Sequence, residues 1–472
     1  MKKRYTNTLL IGSGLAGLNF ASVYGKKKKL EIISPNFLKF NTKKEDKETG
    51  FLPPQMKGKL NLVKNYIRFN NLKINKNCTI LGSLNYGGLS DFWGLQIDNY
   101  ISKDLNVSKL TYKKIEQHFI RLLKEHSLIG EFKVFKKIYY ENKYKIPISF
   151  NNLINSANYK EKIECRLPIL AYQKKKTEKL VNFNSLNEKK DKFIPSNLRK
   201  YKSIKKIIHH NLVVNKIERI KNIYKIKCYD QNFKEKIFLC KKLILGCGTV
   251  VTTKLVMDLL KIRNEVKIKH HLRLFTFFLS KKPIIYSINF LPSILQILIK
   301  GKNFFSADLR VGNKFITNSI LELYRFLSPF KFFINLFNKY FLFSNILMGS
   351  SGSNLFIKKD KNDFYKIYSK NKKNNEKKLK LIAKKVYNFL YKKKIIFPFF
   401  KTYFPSIGSD FHYFGTIPIK KKGCLVVNEK CQLKGHKNIF IIDGSVFNFK
   451  SNTYPLGIII ANARRIGELL IK

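Results

Sequence analysis

The stretch Thr8-Leu9-Leu10-Ile11-Gly12-Ser13-Gly14-Leu15-Ala16-Gly17 decides the fold of this chain. Thr8 to Ile11 is a short β-branched and aliphatic run, which predicts a strand that ends at the glycines. Leu15 to Tyr24 predicts a helix with Gly25 as its C-terminal stop. Leu30 to Ile33 predicts a second apolar strand. Strand, glycine-rich turn, helix and strand together form the context that a G-x-G-x-x-G dinucleotide-binding motif requires.

Each glycine of this motif has its own physical role. Gly12 permits the tight turn, Gly14 lets the backbone approach a pyrophosphate, and Gly17 lets helix and strand pack closely. Free N–H groups at the helix start then point at the phosphates. The alternative is a glycine-rich turn without a ligand. Ser34 replaces the acid that would hold a ribose hydroxyl, and Glu31 lies too early to substitute for it. The sequence therefore supports recognition of the adenosine half of a dinucleotide less strongly than recognition of its pyrophosphate.

The C-terminal region separates FAD from NAD, the two dinucleotides that such a motif can bind. Ile439 to Ile442 predicts an apolar strand ending in Asp443-Gly444, and Leu456 to Leu470 predicts an apolar-faced helix preceded by Pro455. A helix N-terminus carries partial positive charge, which suits the N1/C2=O edge of a reduced flavin. His412 lies on a separate segment that can approach the reactive face of the same ring. These features favour FAD.

Four blocks in a fixed order carry the motifs of the whole chain: Gly12–Gly17, Gly87–Gly94, Leu243–Thr249, and the C-terminal blocks that begin at Gly408, Asn438 and Asn452. In order and approximate spacing they resemble the glucose–methanol–choline (GMC) family of FAD-dependent oxidoreductases, whereas the stretches between them do not. The resemblance implies an α/β fold with a discontinuous Rossmann-like FAD-binding domain and a second, α+β, substrate-binding domain. The implied bounds are 1–110, 201–265 and 405–472 for the FAD-binding domain, and 111–200 and 266–404 for the cap and substrate-binding domain.

The resemblance also implies which residues bind the cofactor. Asp91 stands where many members of the family have Asn. The Val213–Val214 segment resembles the one whose backbone meets adenine. The full set of implied cofactor-binding residues is Gly12, Gly14, Gly17, Ser34, Gly87, Gly88, Ser90, Asp91, Trp93, Gly94, Val213, Val214, Gly246, Gly248, Asp443, Gly444, Pro455 and Leu456.

Two residues are implied to be catalytic. His412, in His-x-x-Gly-Thr, matches the catalytic histidine of the family. Hydride leaves a carbinol carbon more easily when the hydroxyl loses its proton to a base, and imidazole suits that role near neutral pH. Tyr454 holds the partner position, where the family usually has His or Asn. A neutral phenol can donate a hydrogen bond to the alcohol but is a poor base at pH 7. The alternatives are an ordinary core histidine at 412 and a bulky plug at 454.

The other histidines and the cysteines predict no metal site and no disulfide frame. His436 sits in a turn and is expected to be solvated, while His209-His210 and His270-His271 are adjacent pairs without metal-ligand spacing and are interpreted as structural. Seven cysteines without a C-x-x-C pair favour reduced thiols in a cytoplasmic protein. Because the first strand begins almost at once after Met1, we expect no separate signal peptide.

A formal charge of +63 is the main feature of the composition. One interpretation is an anionic partner, such as nucleic acid, an acidic membrane or an acidic saccharide. The other is coding bias, because Lys accompanies abundant Asn, Ile, Phe and Tyr and is scattered over all segments. We attribute most of the charge to coding bias. No RNA-binding signature is visible, so no specific nucleic acid is expected.

Several stretches outside the motifs carry local predictions. Helical periodicity predicts helices over Thr111 to His126 and Glu376 to Tyr391, and the Lys/Asn-rich run from Asp360 to Asn375 predicts an exposed loop. Pro283 to Ile299 and Pro329 to Met348 are apolar but interrupted by polar residues, so neither predicts a transmembrane helix. They can rest in a membrane interface with lysines toward anionic lipid, or lie buried in the substrate domain.

Together these patterns predict an FAD-dependent oxidoreductase that oxidises a CH–OH group, with His412 as base. The expected substrate is a small-molecule alcohol or, on family analogy alone, a sugar or sugar derivative. The electron acceptor is unassigned, and the expected location is cytoplasmic with optional peripheral membrane contact. Two alternatives stay open: a non-catalytic flavin-fold protein that docks on an anionic membrane or polymer, and a flavoprotein that acts on nucleic acid.

Overall fold

The computed structural model describes most of the chain: residues 3–36, 60–91, 93–99, 102–134, 137–154, 157–158, 163–175, 179–182, 207–284, 293–299, 305–313, 317–318, 321, 325–370, 373–420, 422–451 and 454–472. It is a mixed α/β structure with several sheets. The helices within the described part are α1 (Leu15–Tyr24), α2 (Leu60–Phe69), α3 (Ser102–Leu105), α4 (Lys109–Glu125), α5 (Thr249–Leu259), α6 (Lys331–Phe337), α7 (Lys373–Lys392) and α8 (Leu456–Leu469).

The strands fall into two large sheets and three small ones. In chain order they are β1 (Lys3–Ile11), β2 (Leu30–Ile33), β3 (Leu72–Ile74), β4 (Gln96–Ile97), β5 (Leu128–Val134), β6 (Lys137–Asn142), β7 (Tyr144–Lys145), β8 (Ala157–Asn158), β9 (Ile163–Arg166), β10 (Ile169–Gln173), β11 (Val181–Asn182), β12 (Ile207–His210), β13 (Val213–Ile220), β14 (Ile223–Tyr229), β15 (Glu235–Leu245), β16 (Val266–Ile268), β17 (Leu272–Ser280), β18 (Leu295–Ile299), β19 (Phe305–Val311), β20 (Phe341–Met348), β21 (Leu355–Lys359), β22 (Tyr365–Ser369), β23 (Ile396–Tyr403) and β24 (Ile439–Ile441).

The first large sheet has a parallel centre. β1 pairs in parallel with β2 on one side and with β15 on the other, and β2 pairs in parallel with β12. The end of β15 pairs in parallel with β24, whereas its beginning pairs antiparallel with β14, which is followed by β13. Ile11, Leu245 and Ile441 are neighbours in this register. The loops that follow β1, β15 and β24 therefore meet at one edge of the sheet, where ligands of parallel sheets bind.

Buried helices cover this sheet. Nearly all of α1 is buried, which is the pattern of a core helix. α1 packs against α8, and α8 packs against α4. Close approach of α4 and α8 depends on Gly457, because a Cβ there would lie 2.5 Å from the Phe119 ring.

The second large sheet is antiparallel, in the order β23-β17-β20-β19-β18-β9-β8. Along β17 the alternate residues Leu272, Leu274, Thr276, Phe278 and Ser280 are buried, while those between them are only partly buried. The two faces of β17 thus have different environments. β9 and β18 share this sheet, so pieces from both halves of the expected substrate domain lie together. Helix α4, also assigned to that domain, packs on α8 instead, and the domain division stays a prediction.

Most local predictions are confirmed. The strand at Leu30–Ile33 and the helix at Leu15–Tyr24 have the expected bounds, β1 starts earlier at Lys3, and the other predicted helices and strands differ by a few residues at their ends. The exposed loop expected over Asp360 to Asn375 is wrong, because β22 and the start of α7 lie within it. Tyr365 and Ile367 point into the core, so alternation outweighs the Lys/Asn-rich composition.

The two apolar stretches also have defined places where the structure describes them. The end of Pro283–Ile299 forms β18, with residues 285–292 outside the described part, and Pro329–Met348 supplies α6 and β20. Among the described residues, no helix is both long enough and apolar enough to cross a bilayer.

Candidate functional site

A cavity of about 730 Å³ is lined by residues of both large sheets. Its lining begins at the glycine loop after β1, continues along the loops after β15 and β24, and ends on the aromatic side chains of β17, β20 and β23. The volume lies within the usual range for small-molecule and cofactor sites.

The glycine loop contains two kinds of glycine. Gly12 has a φ of 103°, and a Cβ there would lie 2.4 Å from the carbonyl oxygen of Gly246. A Cβ on Gly17 would lie 2.0 Å from the carbonyl oxygen of Gly12. Gly14 differs, because a Cβ there would meet nothing within 4 Å and the residue lines the cavity. Gly12 and Gly17 are required by the backbone itself, whereas Gly14 leaves open space for a ligand.

Three helices begin at this cavity. The first residues of α1, α5 and α8 are cavity-lining, and the first turn of each contains no acidic residue. Neither α1 nor α8 has a side-chain cap at its N-terminus. Unpaired N–H groups and the helix dipoles therefore give this part of the cavity a positive potential that suits an anion.

Asp443 lies at the start of α5 and binds it from outside the helix. One oxygen of its carboxylate accepts hydrogen bonds from the Gly248 N–H, at 3.0 Å, and from the Thr252 hydroxyl. The other accepts from the N–H and the hydroxyl of Ser445. Burial raises the pKa of Asp443, while these donors lower it. The carboxylate is held rigidly at the cavity wall by the protein's own donors.

Almost all of the predicted cofactor-binding residues line this one cavity. Gly17 does not, because it packs against the backbone of Gly12, and the Asp91 side chain lies outside the described part. Ser34 lines the cavity and is hydrogen-bonded to Ser13. The predicted residues that line it are Gly12, Gly14, Ser34, Gly87, Gly88, Ser90, Trp93, Gly94, Val213, Val214, Gly246, Gly248, Asp443, Gly444, Pro455 and Leu456.

Glu31 is not available to this site. Its carboxylate is buried and lies 2.9 Å from Arg4 Nε and 2.7 Å from His210 Nε2. This agrees with the interpretation of His210 as structural.

His412 belongs to a cluster of three histidines and one aspartate. The Nδ1 atom of His412 lies 3.2 Å from Nδ1 of His271. The Asp410 carboxylate accepts hydrogen bonds from the backbone N–H groups of His271 and His412, and lies 3.0 Å from Nδ1 of His270. His271 therefore contacts the predicted base, a contact that the interpretation of the His270-His271 pair as structural did not include.

The charges of this cluster are set by burial and by Asp410. Burial would lower the pKa of His270, but the charge and hydrogen bonds of Asp410 raise it above its usual value, and the same pair holds the pKa of Asp410 at about 2. Burial lowers the pKa of His412 to about 4, and burial together with the neighbouring His412 lowers the pKa of His271 well below its usual value. The raised pKa of His270 favours an ion pair with Asp410, whereas the lowered pKa values of His271 and His412 favour their neutral forms.

Tyr454 lies beside His412, with the two rings 5.2 Å apart between centroids. Its phenol oxygen accepts hydrogen bonds from Nη2 of Arg310 and Nδ2 of Asn345, both at 3.1 Å. Burial and the nearby Asp308 carboxylate raise the pKa of Tyr454, so the group stays protonated. These two donors occupy both lone pairs of the oxygen, and the O–H of Tyr454 is engaged with the Asp308 carboxylate, to which it can only donate.

Two arginines complete this end of the cavity. Arg273 donates from Nη2 to the carbonyl oxygen of Asp410, and Arg310 donates to Tyr454. The Nε atoms of both are buried without a hydrogen-bond partner among the described residues. Both side chains line the cavity.

Sequence reasoning missed His271, Arg273, Arg310, Asn345 and Asp410. The antiparallel register of β17, β20 and β19 brings Arg310 and Asn345 together. Asn345 on β20 pairs with Phe275 on β17, and Phe343 on β20 pairs with both Phe277 on β17 and Arg310 on β19. The available signals were Asp410 two residues before His412, and Arg273 two residues after His271 on an alternating strand.

The expectation that His436 is solvated is also wrong. Its side chain is buried, and Nδ1 lies 3.5 Å from the Tyr224 hydroxyl. His436 is buried although it lies in a turn, because Tyr224 of β14 packs against it. Burial lowers its pKa.

No family model matches the chain, and no curated protein is significantly similar to it. Any functional assignment therefore depends on the geometry of the site itself.

Proposed function

We propose that the protein is a GMC-like, FAD-dependent oxidoreductase with a Rossmann-like FAD-binding domain, which oxidises a CH–OH group by hydride transfer to flavin. One observation carries this proposal: a single cavity joins the open Gly14 backbone at the start of α1 to His412 and Tyr454. Glycine loop, helix N-termini and base are the parts that such a reaction needs in one space.

The residues present fit a dinucleotide. The space over Gly14 and the uncapped start of α1 suit a pyrophosphate, since backbone N–H groups can donate to its oxygens. Val213 and Val214 line the same cavity beside the glycine loop and would meet the adenine. Pro455 and Leu456, at the uncapped start of α8, would present positive potential to the pyrimidine edge of a flavin. When bound, the flavin would supply the hydride acceptor.

His412 is suited to receive the hydroxyl proton. Its low pKa keeps the imidazole neutral at pH 7, so one ring nitrogen carries a lone pair. The two Nδ1 atoms at 3.2 Å can bond only if one donates and the other accepts. When His412 donates from Nδ1 to His271, the lone pair of His412 is on Nε2 and can accept the substrate proton. His271 thus selects the reactive tautomer.

Tyr454 and the arginines act on the substrate oxygen. The Tyr454 oxygen is held by Arg310 and Asn345, and its O–H can turn from the Asp308 carboxylate to donate to the substrate hydroxyl oxygen as negative charge develops there. The guanidinium groups of Arg273 and Arg310 add positive potential at the same end of the cavity. This agrees with an orienting role for Tyr454 and leaves proton removal to His412.

The first test is the absorption spectrum of the purified protein, followed by release of FAD on denaturation. Anaerobic mixing with alcohols, sugars and hydroxy acids then identifies a substrate through bleaching of the flavin. A colourless protein that binds NADH tightly would contradict the proposal.

The second test is His412→Ala, compared with His436→Ala as a buried histidine outside the cavity lining. We expect His412→Ala to retain flavin and to slow its reduction by about a hundredfold or more, the usual contribution of a general base. His436→Ala should reduce flavin at the parent rate. Unchanged kinetics in His412→Ala would remove this residue from the mechanism.

A further inference from the structure

A cluster of large apolar side chains is exposed next to the cavity. Arg325–Phe330 forms a 3₁₀ turn that leads into α6, and six apolar residues of this segment are 53–73% exposed. We call them the phenylalanine surface: Phe326, Phe330, Phe332, Phe333, Leu336 and Phe337. Six large exposed apolar side chains within twelve residues are far more than the single exposed residues that any soluble protein carries.

The same segment forms part of the cavity wall. Leu327 and Ile334, between the exposed residues, line the cavity. Phe399 on β23 both lines the cavity and is 50% exposed, so the cavity reaches the exterior beside this surface. Phe277 lies between Phe399 and Phe343 in the cavity lining. Its ring centroid is 6.2 Å from that of Phe399 and 5.1 Å from that of Phe343. The cavity therefore has an aromatic end at the phenylalanine surface and a polar end at His412.

The charged residues within the segment that carries the phenylalanine surface, 325–340, are all positive. Residues 325–340 contain Arg325, Lys331 and Lys339 and no acidic residue. All three cationic residues are exposed. Exposed aromatic residues flanked by basic ones are the pattern of a protein segment that lies in the interface of an anionic bilayer.

Charge also decides between a bilayer and a second copy of the chain. Two copies would bring together surfaces of the same sign, on a chain with a net charge of +63. An anionic bilayer attracts the same charges and accepts the phenyl rings among its acyl chains. Charge complementarity therefore favours lipid as the occupant.

We propose that the phenylalanine surface docks on a bilayer of anionic lipids, with the mouth of the cavity toward the lipid. Docking itself does not depend on the flavin chemistry. Resting on the proposed function, the arrangement also indicates the substrate class: an amphipathic alcohol with an apolar chain, which enters from the lipid and places its hydroxyl at the polar end.

Vesicle flotation of the full chain tests the docking. The parent protein should float with phosphatidylglycerol vesicles at low ionic strength and bind phosphatidylcholine vesicles much more weakly. The variant Phe332→Ser/Phe333→Ser should lose roughly tenfold in vesicle affinity for each phenylalanine. The control variant Leu110→Ser/Ile148→Ser removes two exposed apolar residues elsewhere and should bind as the parent does.

Three results would overturn the docking: no flotation with anionic vesicles, equal affinity of the two double variants, or a parent dimer that Phe332→Ser/Phe333→Ser dissociates. Circular dichroism melting of each variant shows that a loss of binding is not a loss of fold. These measurements use no substrate, so they can fail while flavin reduction succeeds. The substrate class fails separately, if short-chain soluble alcohols bleach the flavin faster than long-chain alcohols presented in vesicles.

Discussion

Gly14 and Gly17, three residues apart on one helix turn, should respond oppositely to the same methyl group. Gly14→Ala adds a Cβ where nothing lies within 4 Å, at a φ of −68° that alanine adopts freely. Gly17→Ala adds one that would lie 2.0 Å from the carbonyl oxygen of Gly12. The obstacle at Gly17 is backbone, so β1 and α1 must move apart by more than 1 Å to admit it.

These contacts set the expected magnitudes. Overpacking of a buried site costs about 1–3 kcal/mol, and we expect the upper end of this range at Gly17 because the clash is with backbone. The higher helix propensity of alanine reduces this cost by about 1 kcal/mol. We expect Gly17→Ala to lower the free energy of unfolding by about 2 kcal/mol. Gly14→Ala should change it by less than about 1 kcal/mol, because a lower unfolded-state entropy offsets a poorer N-cap residue. Its methyl group would, however, occupy the space over the uncapped N–H groups and weaken FAD binding by tenfold or more.

The assay is guanidinium unfolding of both variants without flavin, followed by titration with FAD. Measuring the apoprotein matters because bound ligand would itself raise the apparent stability. Two results would refute the reasoning: equal losses of stability in the two variants, or parent-like FAD affinity in Gly14→Ala.

Three further predictions concern single side chains. Tyr454→Phe should slow flavin reduction by the roughly 1–3 kcal/mol of one hydrogen bond, less than His412→Ala does; a parent-like rate, together with flavin loss in Tyr454→Ala, would favour the plug role. The rate of flavin reduction should be nearly constant from pH 8 to about 5.5 and fall toward pH 4, because the His412 pKa is about 4; a half-maximal rate near pH 6.5 would contradict this. Lys254 is buried, its Nζ has no hydrogen-bond partner within the part of the chain that the structure describes, and burial lowers its pKa to about 8. Because the folded-state pKa lies below the unfolded value of 10.5, the charged lysine lowers the free energy of unfolding by its full amount below pH 8 and by less as pH rises toward 10.5. Lys254→Met should therefore raise the free energy of unfolding at pH 7 by about 2–3 kcal/mol in denaturant unfolding. An unchanged midpoint would argue against an uncompensated charge.

Elements with long, regular hydrophobic patterns were predictable. The β1–α1–β2 unit, α7 and α8 follow from apolar spacing and from glycine and proline at their ends. His412 and Tyr454 were predicted to be catalytic because each lies in a short block with other recognisable residues; both line the cavity, and their roles stay predictions. The cavity then places both beside the glycine loop, although 395 or more positions separate them from it.

Residues of the second sheet were not predictable as part of the site. Arg310 and Asn345 reach Tyr454 only through the antiparallel register of β19 and β20, which no local pattern encodes. A one-residue slip would turn each to the other face. His436 was misjudged for a related reason, since a turn is solvated only where nothing packs beneath it, and that is a tertiary property.

The position of α1 between β1 and α8 also affects the order in which the chain can fold. The apolar face of α1 leaves the ribosome early, but its partner helix α8 begins at Leu456, roughly 430 residues later. At about 5–20 residues per second, that interval is on the order of 20–90 s. During this time the face of α1 that packs against α8 must remain uncovered or be held by a chaperone. The glycine loop is therefore synthesised long before α8 but becomes rigid only after it, so binding of the proposed flavin should follow the synthesis of α8.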